Sequence, residues 1–347
     1  MTNKQKALGA VGGVLVLAVG AFFLIRNKDD IPIVKDLVGD PVTCPLSGVE
    51  PRNEALVERP AVAIKIENAA IAYPLSGLED AEIVFEEVVE GGITRFMAIY
   101  HCTDSTKAGP VRSARAVDPA IMSPITKILA FSGANGPVLE QLQEAGVVII
   151  EESDAGTGMQ RIPREGLASE HTLYGNSKLL RKTGRDDFSD PPPDDLFEFS
   201  DDVADNGKTR KASDITIGFS GSTSVGYTWD GDSYLRTQNG APFMAESGEQ
   251  ISVSNVLIEQ HQVDYSGISD VAGNPSVEIT DETGTGKAVL FRDGRAVVGT
   301  WSRDSLESPV VFETKSGDRM VFAPGAIWIH LVPSDAGEVK GSFSFVK

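Results

Sequence analysis

Hydrophobic and polar positions along this chain change rhythm twice. Between residues 60 and 150 the apolar runs are short and bounded by glycine or proline, at 60–67 (PAVAIKIE), 82–90, 93–101, 129–132 and 147–150. Period-two alternation, or a short fully apolar run, predicts strands there. Residues 119–128, interrupted near Pro124, and 137–144 carry apolar positions at helical spacing. The second has Val138, Leu139 and Leu142 inward and Gly146 as the residue that stops it. Strands alternating with helices predict a mixed sheet with helical cover. From about residue 212 the pattern becomes short strands and glycine turns, with Asp293-Gly294 as a hairpin turn. That spacing predicts a β-rich sandwich or open barrel. The expected fold is therefore α+β: a mixed α/β domain with a central sheet and helices over 31–184, then a β-rich domain over 212–347. Residues 185–211 join them. Nine acids and three successive prolines fall within 185–205, so this stretch reads as a solvated, partly extended linker.

The densest chemistry lies at 82–118, EIVFEEVVEGGITRFMAIYHCTDSTKAGPVRSARAVD. Gly91-Gly92 between two β-prone runs predicts a hairpin with a two-residue turn. Glu90 then lies opposite Ile93, Val88 opposite Arg95 and Glu86 opposite Met97. One face would hold Glu86, Val88, Glu90, Ile93, Arg95 and Met97, with the guanidinium between two carboxylates. Either Arg95 bridges Glu86 and Glu90 as a structural pair, or the group forms a site. Asp118 before Pro119 fits an N-cap with proline at the first helical position. Arg112 and Arg115 then stand in the approach loop near free N–H groups, an arrangement that suits a carboxylate or phosphate. His171 beside a polar cluster is a candidate acid/base or hydrogen-bond donor.

Charge sharpens this picture. The net charge of −19 over 347 residues argues against nucleic acid and anionic lipid as partners, since both need a cationic footprint. A local arginine pair stands out against such a background. No GxSxG, HExxH, Walker A or dinucleotide fingerprint occurs, and GTGK at 284–287 is a turn. His101, His171, His261 and His330 do not form a metal spacing, the cysteines are not CxxC, and no EF-hand loop occurs. No metal or other cofactor is expected. Trp301 and Trp328 read as core or sheet-face residues rather than a sugar platform.

Residues 7–25 are 19 positions without charge or proline, flanked by Lys4, Lys6, Arg26 and Lys28. At about 1.5 Å per residue they just span a bilayer. We read residues 1–30 as an uncleaved membrane anchor rather than a cleaved signal, because cleavage after Ala21 would leave Phe22-Phe23-Leu24-Ile25 on the new terminus. Cys44 lies too far beyond that stretch to be a lipobox cysteine. In an exported protein Cys44 and Cys102 either pair or remain two buried thiols.

Several strings resemble the YerB-like family of bacterial envelope proteins. They are IAYPLSGLEDAEIVFEEVVEGGITRFMAIYH at 71–101, AGPVRSARAVD at 108–118, EHTLY at 170–174, YLR at 234–236, SNVL at 254–257, GTW at 299–301 and PGAIW at 324–328. The resemblance implies an N-in, C-out topology with the body outside the cell, but it carries no reaction. The reading is a membrane-anchored extracytoplasmic protein that binds an anionic or polar envelope ligand, either a wall-polymer fragment or an envelope protein. Arg95, Arg112, Arg115 and Tyr174 would hold it. The alternative is a hydrolase of wall glycan or peptide, with Glu86 or Glu90 paired against Asp118 and with His171 as a further acid/base candidate.

Overall fold

The computed structural model describes residues 41–270 and 273–347, so the apolar stretch at 7–25 lies outside the described residues. Among the described residues no helix is long and apolar enough to cross a membrane. Residues 43–347 form one compact unit.

Its frame is a large sheet built from both halves of the chain. The first half supplies β1 (Val62–Glu67), β2 (Ile83–Val88), β3 (Thr94–Tyr100), β4 (Ile128–Ala130) and β5 (Val148–Ile150). Their order in the sheet is β2-β3-β1-β4-β5. On the other side β2 pairs in parallel with Ile327–Pro333, which pairs in parallel with Asn255–His261. The strands Gly284–Arg292, Arg295–Arg303 and Val311–Thr314 continue from there to the far edge. Every residue of β1, β2 and β3 is buried. Both faces of this region are therefore covered, which is why its runs read as nearly continuous apolar sequence.

One face packs on a second sheet that contains Asp214–Gly218, Ser224–Trp229, Tyr234–Gln238 and Ser342–Val346. Val84, Phe96, Trp328 and Val256 meet Ile215, Ile217, Tyr227 and Tyr234 there. The other face is covered by Ala114, Val117, Met122, Val138 and Leu142 from the loops and helices after β3. Those helices are short, Asp118–Met122 and Gly136–Glu144, with Ser177–Gly184 following later. The α+β reading thus stands in coarse form, with sheet predominating over helix. Trp301 and Trp328 are core residues, each 1% exposed. Asn135 caps Gly136–Glu144 by accepting from the Val138 N–H, and Gly146 follows it at φ +66°. The Asp293-Gly294 turn has φ near +50° and +65°, as a primed hairpin turn requires.

Two local expectations are corrected. Residues 185–211 do not run free in solvent throughout. Leu196 and Phe197 are buried, Phe197 meets Phe322 edge-on at 5.1 Å, and Glu198–Phe199 pairs with Val321–Phe322. The β2–β3 turn has three residues rather than two, because the Val89 N–H donates to the Ile93 carbonyl at 2.8 Å across Glu90-Gly91-Gly92. Gly91 and Gly92 take φ of +70° and +72°. The Gly92 carbonyl accepts from the hydroxyls of Ser220, Ser222 and Thr223, and a Cβ at position 92 would meet Ser222 Oγ at 2.7 Å.

Cys44 and Cys102 form a disulfide with Cα atoms 6.2 Å apart, tying the 43–48 turn to the end of β3.

Candidate functional site

The extra turn residue moves the strand register by one and exchanges the two faces. Glu87 lies opposite Arg95 and Glu86 opposite Phe96. On β1, Glu67 is the other neighbour of Arg95. A row Glu67–Arg95–Glu87 therefore crosses three strands on the helix-covered face, while Glu86 points into the interface between the sheets.

On the helix-covered face each carboxylate is engaged elsewhere. Lys65, fully buried on β1, donates to Glu87 Oε1 at 2.6 Å and to Asp118 Oδ1 at 2.7 Å. Asp118 is thus not the N-cap expected of it: its Oδ2 accepts from the backbone N–H of Arg115 at 2.8 Å. Burial, with the Asp118 charge on the same lysine, pushes the Glu87 carboxyl up. Glu67 Oε2 lies 2.8 Å from His171 Nδ1, and its Oε1 lies 3.5 Å from Arg112 Nε, which is not aligned to donate to it. Arg112 also donates through Nη1 to the Glu170 carbonyl at 3.3 Å. Glu90 is clamped by Arg115 through Nε at 3.1 Å and through Nη2, and it accepts from Ser276 at 2.8 Å. Burial works against the Glu90 charge, but Arg115 outweighs it and holds the carboxyl below the usual range.

Arg95 is left over. It is 5% exposed, and among the described residues no carboxylate lies within 4 Å of its guanidinium. Nη1 donates to the Ser113 carbonyl at 3.2 Å, while Nε is buried without a partner. Burial first, then the nearby charge of Arg115, lowers its pKa from 12.5 to about 9. Glu90 and Glu87 favour its charge from beyond that distance, so Arg95 is a buried guanidinium with no directly paired carboxylate, beside two more arginines.

Glu86 occupies a different and closed environment. It is fully buried, with Arg236 Nη2 at 3.0 and 3.1 Å from its two oxygens. Thr94 Oγ1 donates to it at 2.6 Å, and His330 Nδ1 lies 3.1 Å away. Arg236 sits over the rings of Phe243, Trp328 and Phe96 at 4.1, 5.0 and 5.3 Å. Burial opposes the Glu86 charge, yet Arg236 and His330 hold its pKa down at about 2. Glu86 and Asp118 therefore face opposite sides of the sheet and share no cleft. Tyr174 is also elsewhere, under Lys107 at 4.6 Å and 3.2 Å from Arg164 Nη1.

Of the residues singled out in the sequence, Arg95, Arg112, Arg115, Glu90, Asp118 and His171 come together. Lys65, Glu67, Glu87 and Arg236 were missed. The first two had a signal, because charges two apart inside PAVAIKIE place both on one face of a buried strand. The hollow beside Glu87 and Arg115 is only about 20 Å³, room for one water.

Two family models match the chain. The N-terminal domain of a "protein of unknown function (DUF3048)" covers residues 46–189, and the C-terminal domain of the same family covers 215–329. The chain is similar to the "putative lipoprotein YerB" of Bacillus subtilis (strain 168), 26% identical over 331 residues, spanning 92% of this chain and 95% of that protein. The crystal structure of YerB protein from Bacillus subtilis has the same fold, with a TM-score of 0.70 at 24% identity, covering 87% of this chain and 99% of that one.

Proposed function

The chain belongs to the two-domain DUF3048 family of YerB-like proteins, and from that premise we propose that it is a membrane-tethered extracytoplasmic receptor for an anionic envelope ligand. The ligand presents a carboxylate or phosphate to Arg95, Arg112 and Arg115. The observation that carries this reading is the buried guanidinium of Arg95, with no carboxylate within 4 Å among the described residues and its Nε without a partner. Phosphate or carboxylate would neutralise it and supply acceptors for its idle donors. His171, oriented by Glu67, stands beside Arg112 as an additional donor.

The location rests on two supports. The relative is named a "putative lipoprotein", and a disulfide suits an oxidising compartment. In this chain Cys44 is bonded to Cys102, so a lipid on that sulfur is excluded while the bridge stands, and the apolar stretch at 7–25 serves as anchor, in the N-in, C-out orientation that the family resemblance implies. The hydrolase reading draws no comparable support, because Lys65 binds Glu87 and Asp118 together and Arg115 binds Glu90.

Thermal denaturation of the full-length chain in detergent, with inorganic phosphate or a muropeptide added, tests the proposal. A ligand at 100 times its Kd adds about 2.7 kcal/mol. No shift with any carboxylate or phosphate probe would sink it.

A further inference from the structure

Lys65, Glu87 and Asp118 stand together inside the core, their side chains at most 5% exposed. Lys65 Nζ is 2.6 Å from Glu87 Oε1 and 2.7 Å from Asp118 Oδ1. An amine touching a carboxyl oxygen is a short swing from the approach of about 3–3.5 Å at which nitrogen attacks the carbon. Fixed placement of that kind is worth about 10⁵–10⁸ M in effective concentration. The second Asp118 oxygen, Oδ2, accepts from the Arg115 backbone N–H at 2.8 Å, so a fixed donor stands where negative charge collects on addition. Glu87 has the property a proton carrier needs. Burial holds its carboxyl above the usual range against the opposing charge of Lys65, and its Oε2 is buried without a hydrogen-bond partner. The hollow beside Glu87 and Arg115, about 20 Å³, has room for one released water. An amide, unlike an ammonium–carboxylate pair, leaves no charges to be held out of water.

We propose that Lys65 and Asp118 condense in the folded chain to a side-chain amide, an intramolecular isopeptide bond, with Glu87 as the proton carrier. The ammonium passes one proton to Asp118 Oδ1, leaving an amine and a carboxylic acid. The nitrogen lone pair then forms the bond to Cγ as the carbonyl pair moves onto Oδ2, beneath the Arg115 N–H. Glu87 Oε1 takes a second proton from the nitrogen and hands it to Oδ1. That oxygen departs as water with the electron pair of its bond to Cγ, while the Oδ2 carbonyl re-forms. The third proton stays on the amide nitrogen, and nothing is oxidised or reduced. The product fastens β1 to the start of the helix Asp118–Met122, 53 positions along the chain.

The test is mass-spectrometric peptide mapping of the folded full-length chain after denaturation and digestion with trypsin. Trypsin spares Arg59 before Pro60 and does not cut after an acylated lysine. Residues 53–95 should therefore appear joined to 116–127, one water lighter than the two peptides together. Neither peptide contains a cysteine, so the disulfide cannot mimic the link. Glu87→Gln, close in shape, should hold about a tenth of the wild-type link or less. Asp118→Ala should hold none. A wild type with native circular dichroism that is cut after Lys65 and yields 116–127 free overturns the proposal, whatever the variants do. Loss of water within 53–95 alone would put the bond on Glu87 and overturn the assignment to Asp118. An undiminished link in Glu87→Gln would overturn the carrier role.

Discussion

Replacing Arg95 by methionine separates a ligand-binding guanidinium from a structural one. The side chain is 5% exposed, holds one hydrogen bond to Ser113, and has its pKa lowered from 12.5 to about 9. That depression corresponds to a penalty of at most about 5 kcal/mol at neutral pH. Exchanging buried charges for apolar groups of similar volume recovers about 1–4 kcal/mol. Losing the Ser113 bond costs about 1 kcal/mol. The expected outcome for Arg95→Met is a gain of about 2 kcal/mol, roughly 4 °C in Tm. The assay is thermal and urea denaturation at pH 7 in buffer free of phosphate and carboxylate, repeated with inorganic phosphate or a muropeptide. Added ligand should stabilise the wild type and leave Arg95→Met unchanged. A variant destabilised by 1 kcal/mol or more, together with equal ligand responses in both proteins, would refute the reasoning, because Arg95 would then already be satisfied within the fold.

Lys65→Met strands two buried carboxylates, Glu87 and Asp118, and should cost about 3–5 kcal/mol in urea denaturation; a loss below 1 kcal/mol would mean that the three groups are not paired. Arg236→Leu should cost a similar amount by leaving the enclosed Glu86 charge, whereas Glu86→Met with Arg236→Leu should recover most of it. Additive losses in that double-mutant cycle would contradict a direct pair. His261 is opposed by burial, but hydrogen bonds with Asp281 and Glu259 raise its pKa to about 9. Its stabilisation should be complete below pH 6.5 and disappear as pH rises through 9, up to about 3 kcal/mol that His261→Gln lacks. A stability profile of the same shape in both proteins across that window would remove the histidine as its cause.

What the sequence alone determined here is local. Steric rules acting over two to four residues mark Asp293-Gly294 as a hairpin turn, Gly146 as a helix end, and the strands on both sides of the glycine pair. Charge density picked out 82–118, and three arginines and a histidine from that reading do come together. Tertiary structure decided which charge meets which. The Gly91-Gly92 loop is held at three residues while its carbonyl is gripped by hydroxyls about 130 positions later, and that single residue turned Glu86 away from Arg95. The partner of Glu86, Arg236, is 150 residues distant and lies on another sheet. Alternation along a strand settles that side chains face opposite ways, but which face is which depends on contacts brought together only when the two halves of the chain join one sheet.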